Sequence, residues 1–109
     1  MKKARRKSSS LRGRDLLSID DLSAKEIKSL FVLAGDMKAH PKKYRKALAG
    51  KFMALIFEKP SLRTRTTFTV GITQLGGDAL TLTPADISLG KRESVYDVAK
   101  NLERMVDGI

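Results

Sequence analysis

The chain has 109 residues, 41% of them apolar and 31% charged, enough for one globular domain with a core and too few for two. It contains no cysteine, which excludes disulfides and thiolate metal sites and fits a reducing compartment, the cytoplasm. No apolar run approaches the ~20 residues that span a bilayer, and no membrane partner is expected.

The net charge of +10 is unevenly placed. Residues 1–14 carry Lys2, Lys3, Arg5, Arg6, Lys7, Arg12 and Arg14 and no acid. Taking those seven from 22 leaves 15 basic against 12 acidic residues, so the remainder is only +3. Residues 1–14 therefore read as a disordered, solubilising arm. The arm is Arg- and Ser-rich like an organelle transit peptide, but short and without an amphipathic helix. Nucleic-acid binding would rest on this arm alone, without interleaved aromatics, and is not expected.

Ser23 and Glu26 form a capping-box pattern, and Ile27, Leu30, Phe31, Ala34 and Met37 follow at helical spacing. A helix is predicted over about Ala24–Lys38, ended by His40-Pro41. His40 is the single histidine, and at a helix end it reads as solvated rather than catalytic. Lys42, Lys43, Arg45 and Lys46 read as a solvated face or loop.

Phe52–Phe57 is a run of six apolar residues, suited to a parallel strand buried on both faces. Pro60 stops it, Ser61 is a predicted N-cap, and Leu62–Gln74 a predicted helix with Phe68, Ile72 and Leu75 as its apolar stripe. Gly76-Gly77 closes that helix and Ala79–Leu82 returns as a second, parallel strand, completing a βαβ unit. Thr83–Gly90 reads as a loop with Lys91, Arg92 and Glu93 at its far end. Ser94 and Asp97 cap a helix carrying Val95, Val98, Ala99, Leu102, Met105 and Val106, and Asp107-Gly108-Ile109 reads as the approach to a third strand.

A strand that turns directly into a helix leaves unpaired N–H groups and the positive dipole end at its carboxyl edge, a ready anion site. Here Ser61, Thr64, Arg63 and Arg65 surround it. Cations in a first helical turn are disfavoured by the dipole unless an anion lies between, and phosphate matches the forked donors of arginine.

The same stretch, Phe57-Glu-Lys-Pro-Ser-Leu-Arg-Thr-Arg65, resembles the carbamoyl-phosphate motif Ser-Thr-Arg-Thr-Arg of the aspartate/ornithine carbamoyltransferase family. Asp15–Ser23, Gly90–Ser94 and Arg104–Ile109 are similar to its ornithine branch. The resemblance runs from about Asp15 to Ile109. It implies an α/β fold, a parallel sheet flanked by helices, with residues 15–109 a truncated amino-terminal carbamoyl-phosphate domain and the ornithine-binding domain absent.

It also implies roles. Ser61, Leu62, Arg63 and Thr64 would hold carbamoyl phosphate, with Arg63 catalytic; Leu62 stands where the motif has threonine and keeps only its backbone N–H. Arg65, about 200° around the helix from Arg63, would be structural, paired with an acid. Lys91 or Arg92 would reach the active site of a neighbouring subunit in a homotrimer. The implied reaction transfers the carbamoyl group to ornithine, giving citrulline and phosphate, and needs no metal or redox cofactor. A further arginine just after Ile109 and a His-Pro-x-x-Gln motif are expected outside these residues, which alone should be inert. The alternatives are aspartate or N-acetylornithine as acceptor and, from another class, a phosphate- or nucleic-acid-binding module led by the basic arm.

Overall fold

The computed structural model describes residues 11–87 and 94–109. Contacts divide the chain into two units, at Pro41–Lys42.

In the first unit Ser18 opens a short 3-10 turn, Ile19–Asp21, with Asp21 closing a capping box back on Ser18. Helix α1 then spans Ala24–Ala39. Its start is the predicted capping box: Glu26 N–H donates to Ser23 Oγ at 3.1 Å, and Ser23 N–H donates to Glu26 Oε1 at 2.8 Å. Arg14, at the end of the basic arm, adds an ion pair to Glu26 at 2.6 Å and a hydrogen bond to the Asp21 carbonyl at 2.8 Å. Of the expected stripe, Ile27, Leu30 and Met37 are half-buried whereas Phe31 is 72% exposed. The helix has no buried residue, so the spacing gives its period and not a covered face. His40 ends α1, its N–H donating to the Asp36 carbonyl at 2.8 Å. Its ring is not simply solvated: Nδ1 lies 3.1 Å from Asp36 Oδ1, one turn back.

The second unit is built on two strands, β1 (Phe52–Ile56) and β2 (Asp78–Leu82), paired in parallel with Phe52 against Asp78 and Ile56 against Leu82. Parallel neighbours need a crossover, which helix α2 supplies over the predicted Leu62–Gln74. A four-residue helix, α3 (Pro84–Ile87), lies inside the segment read as a loop, and α4 spans Val95–Glu103, shorter than its apolar pattern. Asp107-Gly108 does approach as a third strand: Gly108 bridges Met53 in parallel, and the Ala54 N–H donates to the Gly108 carbonyl at 2.9 Å.

The core is small. Ala54, Val98 and Leu102 form its buried cluster, with Ile56, Leu82, Ile87 and Val106 packed on it. Leu55 turns to the other face by strand alternation and is 8% exposed, so β1 is covered on both sides at its centre. Its first residue departs from the expectation, Phe52 being 40% exposed. On α2 Ile72 alone is buried, while Phe68 is 54% exposed. Five threonines interrupt that helix, and Thr67, Thr69 and Thr73 return their hydroxyls to the carbonyls of Arg63, Arg65 and Thr69 at 2.8–2.9 Å. Such back-bonding satisfies the hydroxyls inside the helix.

Gly76 ends α2 in a Schellman motif. Its φ is +91°, the Gly77 N–H donates to the Ile72 carbonyl at 2.9 Å, and the Gly76 N–H to that of Thr73 at 3.0 Å. A Cβ on Gly76 would also sit 2.5 Å from the Arg45 carbonyl oxygen. Gly76→Ala should lower the urea unfolding free energy by at least about 1 kcal/mol, whereas Gly35→Ala, in open space on α1, should raise it by about 0.5–1 kcal/mol.

The Arg14 hydrogen bond, and after it the Ser23 N–H, lower the Glu26 carboxyl from 4.5 to about 2. A depressed carboxylate stabilises the fold above its unfolded pKa and loses that effect as pH falls through the folded one. The capped start of α1 should therefore be intact above about pH 4.5 and loosen between there and about 2. A carboxyl NMR titration of Glu26 should give the low midpoint; an ordinary one would show the pairing absent in solution.

Candidate anion-binding site

β1 delivers the chain to the sheet's carboxyl edge at Phe57, and Pro60 prevents it from continuing as a ladder donor. Ser61 occupies the N-cap of α2 with φ −149° and ψ 79°, and its side chain makes no capping bond. This differs from the expected cap; at these angles the hydroxyl is left for other partners. The first backbone bond of the helix runs from the Arg65 N–H to the Ser61 carbonyl at 3.0 Å. The amides of Leu62, Arg63 and Thr64 stand ahead of it, at the positive end of the dipole.

A cleft of about 380 Å³ opens at this corner, within the range of about 300–1,000 Å³ usual for small-molecule sites. The β1–α2 connection lines it through Phe57, Glu58, Lys59, Pro60, Ser61 and Arg65, and the end of β2 through Thr81, Leu82, Thr83 and Pro84. The carboxyl ends of two parallel strands and the start of their crossover helix thus meet in one place, where open α/β sheets bind ligands.

Of the residues singled out in the sequence, Ser61 and Arg65 border the cleft; Leu62, Arg63 and Thr64 are exposed on the first turn of α2 outside its lining. Arg63 and Arg65 therefore project differently, as their spacing requires. Among the described residues neither guanidinium has an ion-pair partner, so the acid expected beside Arg65 is not found. Lys91 and Arg92 lie outside the described residues.

Sequence reasoning missed the β2 wall. Thr83 and Asp86 form a further capping box, after those at Ser18 and Ser23, with Pro84 at the first position of α3. Asp86 Oδ2 accepts from the Thr83 N–H at 2.8 Å and from the Thr83 hydroxyl at 3.0 Å, and the Asp86 N–H donates to Thr83 Oγ1 at 3.3 Å. The Thr83 N–H, then its hydroxyl, hold the Asp86 carboxyl below its ordinary range. The signal was present as Thr-Pro-x-Asp, a cap, a proline at the first helical position and an acid at the third.

Residues 14–109 match the model of the aspartate/ornithine carbamoyltransferase carbamoyl-P binding domain. The ornithine carbamoyltransferase of Deinococcus radiodurans is 54% identical over 99 residues, covering 91% of this chain and 32% of that protein. The solved ornithine carbamoyltransferase of Pyrococcus furiosus superposes with a TM-score of 0.83 at 42% identity, over 89% of this chain and 32% of that one. A catalytic subunit of aspartate transcarbamoylase from M. jannaschii superposes with a TM-score of 0.70 at 32% identity, over 82% and 30% of the two chains. The chain spans about a third of the length of the relatives it matches.

Proposed function

Because the chain belongs to the aspartate/ornithine carbamoyltransferase family, we propose that it supplies the carbamoyl-phosphate half of an ornithine carbamoyltransferase of arginine biosynthesis. The observation that carries this reading is the β1–α2 corner, where Ser61–Arg65 start a helix beside a cleft at the carboxyl edge of a parallel pair. Ornithine is preferred to aspartate because identity is 54% with an ornithine relative and 32% with an aspartate one.

In this reading the phosphate seats against the Leu62, Arg63 and Thr64 amides, the hydroxyls of Ser61 and Thr64, and the Arg63 guanidinium. Arg65 stays structural, with Glu58 the acid available in the same cleft wall. The uncharged side-chain amine of ornithine attacks the carbonyl carbon, and a tetrahedral intermediate forms. Its collapse breaks the carbon–oxygen bond to phosphate and the amine proton is lost, giving citrulline and inorganic phosphate. Positive groups at the start of α2 stabilise the charge on the departing phosphate, which they can do without reorganising. Leu62, in place of the motif's threonine, contributes its N–H alone. Lys91 or Arg92 would complete the phosphate site from a neighbouring subunit of a homotrimer working in the cytoplasm, and groups outside these 109 residues would hold ornithine.

Arg63→Ala in the complete protein should lower turnover by about two to three orders of magnitude, since it removes a charged donor to the leaving group. Turnover near that of the unaltered protein would overturn the assignment of Arg63.

A further inference from the structure

β1 is paired along both of its edges. Lys51 turns its carbonyl to β2, where it accepts the Asp78 N–H at 3.0 Å, so the polar groups of Phe52 face the opposite edge. Both go to one residue there. The Phe52 carbonyl accepts the Asp107 N–H and the Phe52 N–H donates to Asp107 Oδ2, each at 2.8 Å. One step on, Gly108 bridges Met53 in parallel, and a Cβ in its place would run into the Met53 side chain. A slip by one residue would put Asp107 or Ile109 against Met53 and part both bonds to Phe52.

The bridge is parallel, so the chain leaving Gly108 runs as β1 runs, toward Phe57, which lines the cleft. Phe57 stands four residues beyond Met53, about 13 Å along a strand. A slip of one residue at Gly108 would move every following side chain by about 3.3 Å and turn it to the other face. We infer that Asp107 is a positioning residue for the anion site: its two-point hold on Phe52 sets the register in which the chain after Ile109 arrives beside the cleft. The inference rests on the reading above, since it is that site whose geometry the register serves. Asp107 lies at the amino end of β1, touches no ligand there, and acts through the strand pairing. Its carboxylate can be removed while its backbone bond stays. A hydrogen bond to a carboxylate is among the stronger single bonds, and losing it leaves the segment on two backbone bonds, from the Asp107 N–H and to the Gly108 carbonyl.

The test uses the complete protein and measures the KM for carbamoyl phosphate, the KM for ornithine, the exchange rate of the Ala54 amide and the melting temperature. The Ala54 N–H donates to the Gly108 carbonyl at 2.9 Å, so its exchange reports the third segment directly. Asp107→Ala should raise the KM for carbamoyl phosphate roughly tenfold and speed Ala54 exchange by a similar factor. The ornithine KM should hold. Asp107→Asn, which keeps an oxygen for the Phe52 N–H, should recover most of both changes. Ser23→Ala, which uncaps α1, should lower the melting temperature and move neither. Either change without the other would overturn the inference, as would neither. So would a weakening of every constant, ornithine included, that Asp107→Asn does not recover, which would make Asp107 a folding residue. Should the alanine variant not fold, Asp107→Glu takes its place: its longer arm should raise the KM above that of Asp107→Asn, and equal values would overturn the inference. An unaltered protein without carbamoyl-phosphate-dependent turnover would overturn the carbamoyltransferase reading itself, and the register would then still be read from Ala54 exchange.

Discussion

Parallel pairing of β1 with β2 is the constraint from which the site follows. Two parallel strands cannot be joined by a tight turn, so the chain must leave the carboxyl end of one and cross back before entering the next. Helix α2 is that crossover, and its start must lie where β1 ends. The strand ends, the unpaired first-turn amides and the positive end of the dipole are therefore brought to one edge by topology alone. Side chains then decide what the edge is for. Pro60 makes the change from strand to helix abrupt, and Ser61, Arg63 and Thr64 put two hydroxyls and a guanidinium group at the corner, donors of the kind that suit an anion.

The other end of β1 is held by a different device. Asp107 offers its N–H to the Phe52 carbonyl and its carboxylate to the Phe52 N–H, both at 2.8 Å. Gly108 beside it leaves room for Met53, whose terminal carbon lies 2.4 Å from where a Cβ would stand. These contacts fix the register of the third segment against β1 with few buried side chains. Elsewhere large apolar groups stay in the open: Phe31 and Val32 on α1, Tyr96 on α4 and Met105 beyond its end are each about 70% exposed. A core centred on Ala54, Val98 and Leu102 is correspondingly thin.

Most of the architecture was legible because its signals are local. The apolar run ending at Pro60, the capping box at Ser23 and the Gly76-Gly77 pair each set an element's position through the chemistry of adjacent residues. Burial was less legible, because it depends on what covers a face. The stripe on α2 predicted Phe68 inside, and it is half exposed; the apolar pattern after Ser94 runs on to Val106, past the end of α4 at Glu103. At the site, the sequence pointed to the helix start but not to the wall facing the same cleft from β2. Thr83 is far from Ser61 in sequence, and only the strand pairing brings it there. The placement of Arg65 at the cleft, with Arg63 outside its lining, likewise depends on side-chain direction that spacing alone does not give.

The central claim is that an anion seats at the first turn of α2. An amide-resolved NMR titration of the complete protein with carbamoyl phosphate tests it directly. Saturable shifts greatest at Leu62, Arg63 and Thr64 are the predicted result. Saturable shifts confined to the basic segment Lys42–Lys51, with α2 unmoved, would contradict it.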